Sequence, residues 1–360
     1  MEAGLGLTSF LFLDIDGGVL GYGPADCHML QEAKYVEMKP RKIPNIPPIA
    51  SISVGHSFAV YLDTEGNLWI NGIFKGTKLP KTTMVCLDIN PKQIKALEER
   101  FYVTTEEGDV WKFGVYHHPV FEKWTEMTRQ ALISTKQKLT NIPAIRHISG
   151  GKNHTLFIDM NGGLWSGGDN SNGQLGRSSL INSEILAIEH PGTFVDACGG
   201  VDHSLFLDRD GNVWSCGSNR FGQLGIPLSE PGAFKLTKVE DIARIQFICV
   251  GGYSSILIDE FGNTWACGKN LNGKLGLECD LNTNDLQIVP GIPKMQIAFC
   301  EDEHAIYVDE DDNVYACGLN RGQFDQDIRK TSILSRPYSE ILNIPLMRKS
   351  VSSTKSARNV

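Results

Sequence analysis

Short apolar runs separated by polar turn residues recur along the whole chain. Each run has the length of a β-strand, as in Leu205-Phe206-Leu207, and is rich in residues that favour strands. An Asp-x-x-Gly step follows, from Asp208 to Gly211 in the clearest example, and the next run carries Trp214. Asp accepts hydrogen bonds from backbone close to it and Gly adopts positive φ, so this step favours a tight turn. The pattern therefore predicts a β-hairpin.

This hairpin recurs seven times at a period of about 50 residues. The slot that tryptophan holds in most copies is occupied by Leu20, Trp69, Trp111, Trp165, Trp214, Trp265 and Tyr315. A further apolar run precedes each clear hairpin, and an Asn-x-x-Gly-Gln-Leu-Gly loop follows it in the best copies, for example Asn219 to Gly225. Three to four strands per unit are typical of a propeller blade. We therefore predict an all-β, seven-bladed propeller that occupies residues 1–360 as a single domain.

The two ends of the chain suggest how such a ring would close. The first hairpin begins within about ten residues of Met1, which leaves the first blade without its preceding strand. The segment Asn343-Ile344-Pro345 echoes Asn141-Ile142-Pro143, which introduces a strand of that kind. We expect the C-terminal strand to pair with the N-terminal blade, and deletion of the residues after Glu340 to destabilise the ring.

Composition restricts the classes of function. Hydrophobic residues make up 41% and charged residues 21% of the chain, as in ordinary globular proteins. The net charge of -8 argues against DNA or chromatin binding through a basic face. All apolar runs are too short to span a membrane, and no basic segment precedes the first one, so we expect neither a span nor a secretory signal. The expected protein is a monomer in the cytoplasm, with the nucleus as the alternative.

The cysteines and the catalytic motifs point away from metal and enzyme chemistry. Cys216, Cys267 and Cys317 occupy one slot of the repeat, and no Cys-x-x-Cys occurs among the nine cysteines. Cysteine here is typical of a small buried residue in a reducing compartment. The chain has no Gly-x-Ser-x-Gly elbow, no phosphate-binding Gly-Lys-[Ser/Thr] loop and no His-Glu-x-x-His helix. We expect no metal, no cofactor and no hydrolase or transferase activity.

The order of motifs from Gly199 to Gly225 resembles the repeat of the regulator of chromosome condensation family. Gly150 to Gly176 matches nearly as well, and Gly251 to Gly276 matches with Ser255 in place of His. The resemblance extends over the whole chain and implies a seven-bladed propeller. The founding member of that family is a nucleotide exchange factor for the Ran GTPase and binds nucleosomes, and other members act as adaptors or as modules of larger enzymes.

The resemblance also implies a candidate partner site. In the exchange factor, acidic residues and histidines on the loops before the hairpins contact the GTPase, and Asn153-His154 is one matching pair here. The residues that we take as candidates are Asp202, His203, Glu301, Asp302, Glu303 and His304. The alternative is structural: His56, His154, His203 and His304 share one slot, and a residue repeated four times is typical of a blade buttress.

The third unit is irregular and supplies a second candidate surface. Residues 115–140 replace the expected turn loop, and Thr105 stands where other units have the turn Asp. Trp124 and Met127 lie in this insertion, which is either drift in a tolerant loop or a partner-binding surface.

We therefore expect a protein-interaction propeller that acts as an adaptor or scaffold. The alternative is guanine-nucleotide exchange on a Ran-like or other small GTPase. Against exchange, none of the Asn-x-x-Gly-Gln-Leu-Gly loops is lengthened, and the N-terminal segment lacks the basic tail of the family's exchange factor.

Overall fold

The chain folds into β-sheets joined by tight turns. The structure, a computed structural model, describes residues 3–6, 9–14, 16–22, 41–74, 77–78, 82–85, 88–114, 136–178, 184–227, 232–277, 282–302, 304–311 and 313–318. Within these ranges the strands form seven sheets, and every pairing whose register is defined is antiparallel. The helical structure in these ranges is a single 3-10 turn, Leu271–Gly273. The all-β fold class predicted from the sequence is confirmed.

The chain divides into two compact units, of which the first comprises residues 1–106, 111–138 and 342–360. Its sheets are ordered β1-β2-β3-β4, β5-β6-β7-β8 with β9 on β7, and β10-β11-β12-β13. The strands are β1 Ala3–Gly6, β2 Ser9–Leu13, β3 Val19–Tyr22, β4 Arg41–Lys42, β5 Ile49–Val54, β6 Phe58–Asp63, β7 Leu68–Phe74, β8 Thr77–Lys78, β9 Thr83–Val85, β10 Pro91–Leu97, β11 Arg100–Thr105, β12 Val110–Phe113 and β13 Gln137–Leu139.

The second unit comprises residues 107–110 and 139–341. Its sheets are ordered β14-β15-β16-β17, β18-β19-β20-β21, β22-β23-β24-β25 and β26-β27-β28. The strands are β14 Ile145–Gly150, β15 His154–Asp159, β16 Leu164–Gly168, β17 Leu186–Ala187, β18 Phe194–Gly199, β19 His203–Asp208, β20 Val213–Ser218, β21 Gly232–Lys238, β22 Ile245–Gly251, β23 Ser254–Asp259, β24 Thr264–Gly268, β25 Thr283–Ile288, β26 Met295–Cys300, β27 His304–Asp309 and β28 Val314–Gly318.

The predicted number of blades is met only in part. Six sheets have four or five strands and are complete blades, whereas the β26–β28 sheet has three strands in the described part of the chain. The strand that was predicted to close the ring, after Glu340, lies outside the described residues. The insertion at 115–135, with Trp124 and Met127, lies outside them as well.

A carboxylate organises the turn of each regular hairpin. In the β19–β20 hairpin, Asp208 accepts hydrogen bonds at Oδ1 from the backbone N–H of Asp210 (3.0 Å) and of Asn212 (2.8 Å). Its Oδ2 accepts from Asn212 Nδ2 at 2.9 Å and from Trp214 Nε1 at 3.0 Å. The repeated Asp-x-x-Gly-Asn-x-Trp pattern is therefore one hydrogen-bonded unit, because Asp closes the turn and anchors the aromatic residue at once.

The same arrangement recurs in four other hairpins. Asp63, Asp159 and Asp259 each accept from the tryptophan six positions later, and Asp309 accepts from the Tyr315 hydroxyl at 3.0 Å. Burial raises the pKa of the Asp63, Asp159 and Asp259 carboxyls, but hydrogen bonds outweigh it and leave each pKa below the ordinary value. The donors are tryptophan and backbone N–H groups in all three, with an asparagine side chain as well at Asp63 and Asp259.

The turn also links consecutive sheets. The carbonyl of Gly162 accepts from the N–H of Phe194, the first residue of the next sheet, at 3.0 Å. Gly211 and Ile245 form the same bond at 2.9 Å, and Gly262 and Met295 do so as well, at 2.9 Å. The first strand of each of these sheets also has a register shift near its start, as between Phe194 and Asp196, which is the mark of a β-bulge.

The Asn-x-x-Gly-Gln-Leu-Gly loop is held by its own asparagine and leucine. Asn219 Oδ1 accepts from the N–H of Leu224 at 3.1 Å, and Asn270 Oδ1 accepts from the N–H of Leu275 at 2.8 Å. Leu224 and Leu275 are fully buried, each in an apolar cluster with residues of the following sheet, such as Ile245 and Met295 respectively. The leucine of this loop therefore fills the gap between neighbouring sheets.

The cysteines of the described segments are buried or half-buried free thiols. Burial raises the pKa of Cys267 to about 12 and that of Cys300 to about 11. A thiol of this kind is a poor nucleophile and a poor metal ligand, because both roles need the thiolate.

Candidate interaction surface

Each sheet of the second unit presents two edges to its surroundings. At one edge, which we call the loop edge, the first strand ends, the second begins and the third ends. The Gly-Gly segment before the hairpin and the Asn-x-x-Gly-Gln-Leu-Gly loop therefore lie together at this edge, as Gly199–Asp202 and Asn219–Gly225 do. The opposite edge carries the hairpin turn, such as Asp208–Gly211, and we call it the turn edge.

The histidines of the loop edge join consecutive sheets. His154 Nε2 lies 2.8 Å from Ser204 Oγ in the next sheet, and His203 Nε2 lies 3.1 Å from Ser255 Oγ in the sheet after that. Each serine hydroxyl donates in turn to a loop carbonyl, Ser204 to Gln174 at 2.8 Å and Ser255 to Gln223 at 2.6 Å. Since the hydroxyl proton is used there, the imidazole must donate from Nε2, which fixes its tautomer.

These histidines are not accessible to a partner. The side chains of His154 and His203 are 0% exposed and that of His304 is 3% exposed. Burial lowers the pKa of His203 to about 3 and that of His304 to about 4, so both are neutral at physiological pH. The placement of His203 and His304 favours the buttress interpretation, and it removes them from the groups that a partner could touch on this edge.

The strand registers correct the residue assigned to the histidine position of the repeat in two sheets. Phe58 pairs with Gly72 as His203 pairs with Gly217, so Phe58 holds the slot in the first unit and His56 does not. His56 is instead partly exposed and lies 3.1 Å from the Glu98 carboxylate. In the β22–β25 sheet Ser254, which pairs with Gly268, replaces histidine, and Ser255 is the counterpart of Ser204.

Asp202 lies at the loop edge, but its carboxylate is mostly buried and bonded within that edge. Its side chain is 17% exposed, and Oδ1 accepts from Gln223 Nε2 at 3.2 Å. Burial raises the pKa of this carboxyl, while hydrogen bonds from Gln223 and Ser218 and the charge of Arg220 oppose the rise. Asp202 therefore holds the loop of its own sheet and offers little free carboxylate to a partner.

The acidic segment before β27 is more open. Glu301 is half-buried and Asp302 is exposed, whereas Glu303 lies outside the described residues. A side chain on Gly252 would collide with the Asp302 carboxylate, which places this carboxylate against the neighbouring sheet. Of the six acidic and histidine candidates, the structure thus brings Asp302, and to a smaller extent Glu301, to the surface.

A buried lysine supports this segment from below. Lys274 occupies the position of Gln174 and Gln223 in its loop and is 1% exposed. Its Nζ donates to the carbonyl of Glu301 at 2.9 Å and to that of Gly251 at 3.4 Å, which links the β22–β25 and β26–β28 sheets. Here a cation bonded to carbonyls replaces the histidine–serine pair of the two preceding sheet boundaries.

The loop edge also carries an aromatic group that the sequence interpretation missed. The rings of Phe221 and Tyr253, which belong to adjacent sheets, meet edge to face with centroids 5.4 Å apart. Lys269 Nζ lies 5.5 Å from the centroid of Tyr253 and 6.0 Å from that of Phe221. Arg220 is exposed, and Leu271 is 53% exposed. We refer to Arg220, Phe221, Tyr253, Lys269 and Leu271 as the cation–aromatic cluster.

The third repeat departs from the hydrogen-bonded Asp–Trp arrangement. Because Thr105 replaces the turn Asp, Trp111 has no carboxylate at that place. It is instead covered by two lysines, with Lys136 Nζ 4.4 Å and Lys138 Nζ 5.9 Å from the ring centroid.

None of the histidine, cysteine, aspartate and glutamate side chains of the described residues form a group of three or more that could hold a metal ion. Among the same residues, no helix is long and apolar enough to cross a membrane.

Comparison with solved structures defines the class of protein as a β-propeller. The chain is similar to Prp20p of Saccharomyces cerevisiae, in a structure reported with its binding properties to Gsp1p and histones (TM-score 0.74, 18% identity, 89% of this chain and 83% of that chain). It is also similar to yeast RCC1 (Prp20) bound to Kap60 (TM-score 0.75, 18% identity, 91% and 85%) and to human WBSCR16 (TM-score 0.71, 16% identity, 85% and 85%). At these identities the likeness shows the fold.

One repeat of the chain matches a known family profile. The profile of the regulator of chromosome condensation (RCC1) repeat matches residues 194–223, which run from β18 to the loop after β20. A search of the curated proteins finds no match. The resemblance to the regulator of chromosome condensation repeat, predicted from the order of motifs, is thus confirmed for this repeat, and the solved structures show the shared fold.

Proposed function

We propose that this propeller is a protein-interaction module, an adaptor or scaffold, and that it binds its partner at the loop edge of the second unit. The observation that carries the proposal is the contrast between positions of one repeat. The His, Asn, Leu and turn Asp side chains are mostly buried within the sheets. In contrast, Phe221, Leu271 and Asp302 differ between repeats, with Leu271 and Asp302 exposed and Phe221 half-buried. Rigid scaffolds commonly carry recognition residues on such loops.

A seven-bladed ring is part of this proposal. The β26–β28 sheet repeats the register of the complete blades, since His304 pairs with Gly318 as His203 pairs with Gly217. We infer that this sheet is the seventh blade.

The second candidate is guanine-nucleotide exchange on a small GTPase. It is favoured by the exposed carboxylate of Asp302 and by the likeness to Prp20p, which was studied for its binding to Gsp1p. In this alternative Asp302 and its neighbour Glu303 contact a basic surface of the GTPase, while His203 and His304 keep the loops in place. An exchange factor must prefer the nucleotide-free state of its GTPase.

Affinity capture separates the two functions. The tagged chain is incubated with lysate in two arms, one with Mg²⁺ chelated and one with excess nucleotide and Mg²⁺, and the bound proteins are quantified. An adaptor retains the same partners in both arms. A small GTPase enriched only in the chelated arm, and lost with Asp302→Asn, would replace the adaptor by the exchange factor. If neither arm retains any protein above a tag-only control, the interaction function is wrong.

A further inference from the structure

The fold does not require the cation–aromatic cluster, as comparison with the corresponding loop of another sheet shows. The loops that contain Phe221 and Asn172 share one backbone, because Gly222 and Gly173 adopt φ of 81° and 87°, and Gly225 and Gly176 adopt φ of 65° and 66°. The counterpart of Phe221 in the β14–β17 sheet is Asn172, so the loop forms without an aromatic residue at this place.

The other members of the cluster also have polar counterparts. Lys269 follows the last glycine of its hairpin as Ser218 and Asp169 follow theirs, and Tyr253 corresponds to Asn153. Asp169 satisfies its own loop, since it accepts from Ser171 and from Gln174 Nε2 at 3.1 Å. The Lys269 side chain makes no such bond and instead lies over two rings. This position costs side-chain entropy, although the loop forms in its sister copy without a lysine there.

The charges of the cluster are open to a partner. In the part of the chain that the structure describes, Lys269 and Arg220 form no ion pair with a carboxylate. Two cations beside two rings and an exposed leucine form a basic, apolar patch on a chain of net charge -8. Asp302 borders this patch across Gly252 and would repel a second acidic group on that side.

We propose that the cation–aromatic cluster binds an acidic peptide segment whose carboxylates alternate with leucine or phenylalanine side chains. The carboxylates pair with Arg220 and Lys269, and an apolar side chain packs on Phe221, Tyr253 and Leu271. This inference rests on the proposed function, because it names the partner chemistry of the same loop edge. The two rings already hold the Lys269 ammonium in place, so a carboxylate that pairs with it costs little additional side-chain entropy.

Fluorescence anisotropy with defined peptides tests the proposal. The probe is a fluorescein-labelled peptide in which Glu alternates with Leu and Phe, and two matched peptides carry Gln or Lys in place of Glu. We expect the Glu peptide to bind the full chain more tightly than both others, and to weaken when salt rises from about 0.15 M to 0.5 M. Equal binding of the Gln or Lys peptide, or no binding of the Glu peptide, overturns the acidic class.

The variants use residues that the sister loops already accept, so they are expected to fold. Phe221→Asn and Lys269→Ser should each weaken binding of the Glu peptide about tenfold or more, since aromatic and charged anchors dominate small interfaces. Phe261→Asn is the matched control: Phe261 is an aromatic residue 59% exposed at the turn edge, and its counterpart is Asn161. It should leave binding unchanged.

The outcomes also separate this inference from the proposed function. If the Glu peptide fails to bind but captured proteins still depend on Phe221, only the acidic class is wrong. If captured proteins are indifferent to every loop-edge variant, the proposed surface itself is wrong.

Discussion

The imidazole of His154 lies 2.8 Å from the hydroxyl of Ser204, across the boundary between two consecutive sheets. His203 and Ser255 repeat this contact one sheet further along, and in both cases the serine hydroxyl donates a hydrogen bond to a loop carbonyl. The repeat therefore uses histidine to join neighbouring sheets and to hold the loop between them.

Removal of this contact should destabilise the second unit. We expect His154→Ala to lower the free energy of unfolding by about 2–4 kcal/mol, because it leaves a cavity and removes the partner of a buried hydroxyl. The measurement is urea unfolding followed by tryptophan fluorescence. His56→Ala is the control and should change stability by about 0.5 kcal/mol or less, since His56 is partly exposed. Equal losses in the two variants would contradict the buttress role.

The buried histidines should make stability depend on pH. The pKa values of His203 and His304 are about 3 and about 4 in the folded chain, below the ordinary 6.5. At a pH between the folded value and 6.5, each histidine is therefore protonated in the unfolded state and neutral in the folded state. Their contribution is complete above pH 6.5 and is lost as pH falls toward 4, with a slope of up to about 1.4 kcal/mol per pH unit for each histidine.

The matched variant is His203→Phe, which places at this slot the residue that Phe58 provides in the first unit. Chemical denaturation at several pH values should show a shallower fall for this variant than for the wild type. An unchanged pH profile would show that folding does not lower the pKa of His203.

The turn carboxylates should act in a lower pH range. The pKa values of Asp63, Asp159 and Asp259 are depressed in the fold, so their stabilisation is present above their ordinary value and is lost as pH falls below about 4. Asp159→Asn should lower stability at neutral pH and flatten the decline below that value. Asp210→Asn, at an exposed turn position, serves as the control and should do neither. A parallel decline in all three proteins would contradict the role of the Asp159–Trp165 pair.

Leu275, the buried leucine of its loop, should contribute to packing, whereas Leu271 in the same loop should not. Leu275 is fully buried against the following sheet, whereas Leu271 in the same loop is 53% exposed. We expect Leu275→Ala to cost about 2–5 kcal/mol of stability and Leu271→Ala to cost about 0.5 kcal/mol or less. Thermal unfolding compares the two directly, and similar melting temperatures would exclude the gap-filling role of Leu275.

Local structural features that recur in each repeat were predictable from the sequence. The Asp-x-x-Gly hairpin and the buried Leu224 follow from turn chemistry and apolar pattern, and each copy supports the others. The slot of His56 was assigned wrongly from the sequence, because His56 lies two positions before Phe58 and the strand pairing shows that Phe58 holds the slot.

The loop-edge cluster could not be predicted for a different reason. Phe221 and Tyr253 lie more than thirty positions apart in sequence, and their contact depends on how two sheets pack. The available signal was weak: Arg220-Phe221 stands where the sister loop has Ser171-Asn172. The buried state of Lys274 was hidden likewise, because a lysine in a turn motif is normally exposed.

The central claim is that protein partners contact the loop edge, and comparison of edge variants by quantitative affinity capture tests it most directly. Wild type, the double variant Phe221→Asn/Lys269→Ser and the turn-edge variant Phe261→Asn are used side by side, after their unfolding curves are shown to coincide. The account predicts that the double variant loses the partners that both other proteins retain. Loss of those partners with Phe261→Asn, together with full retention by the double variant, would contradict it.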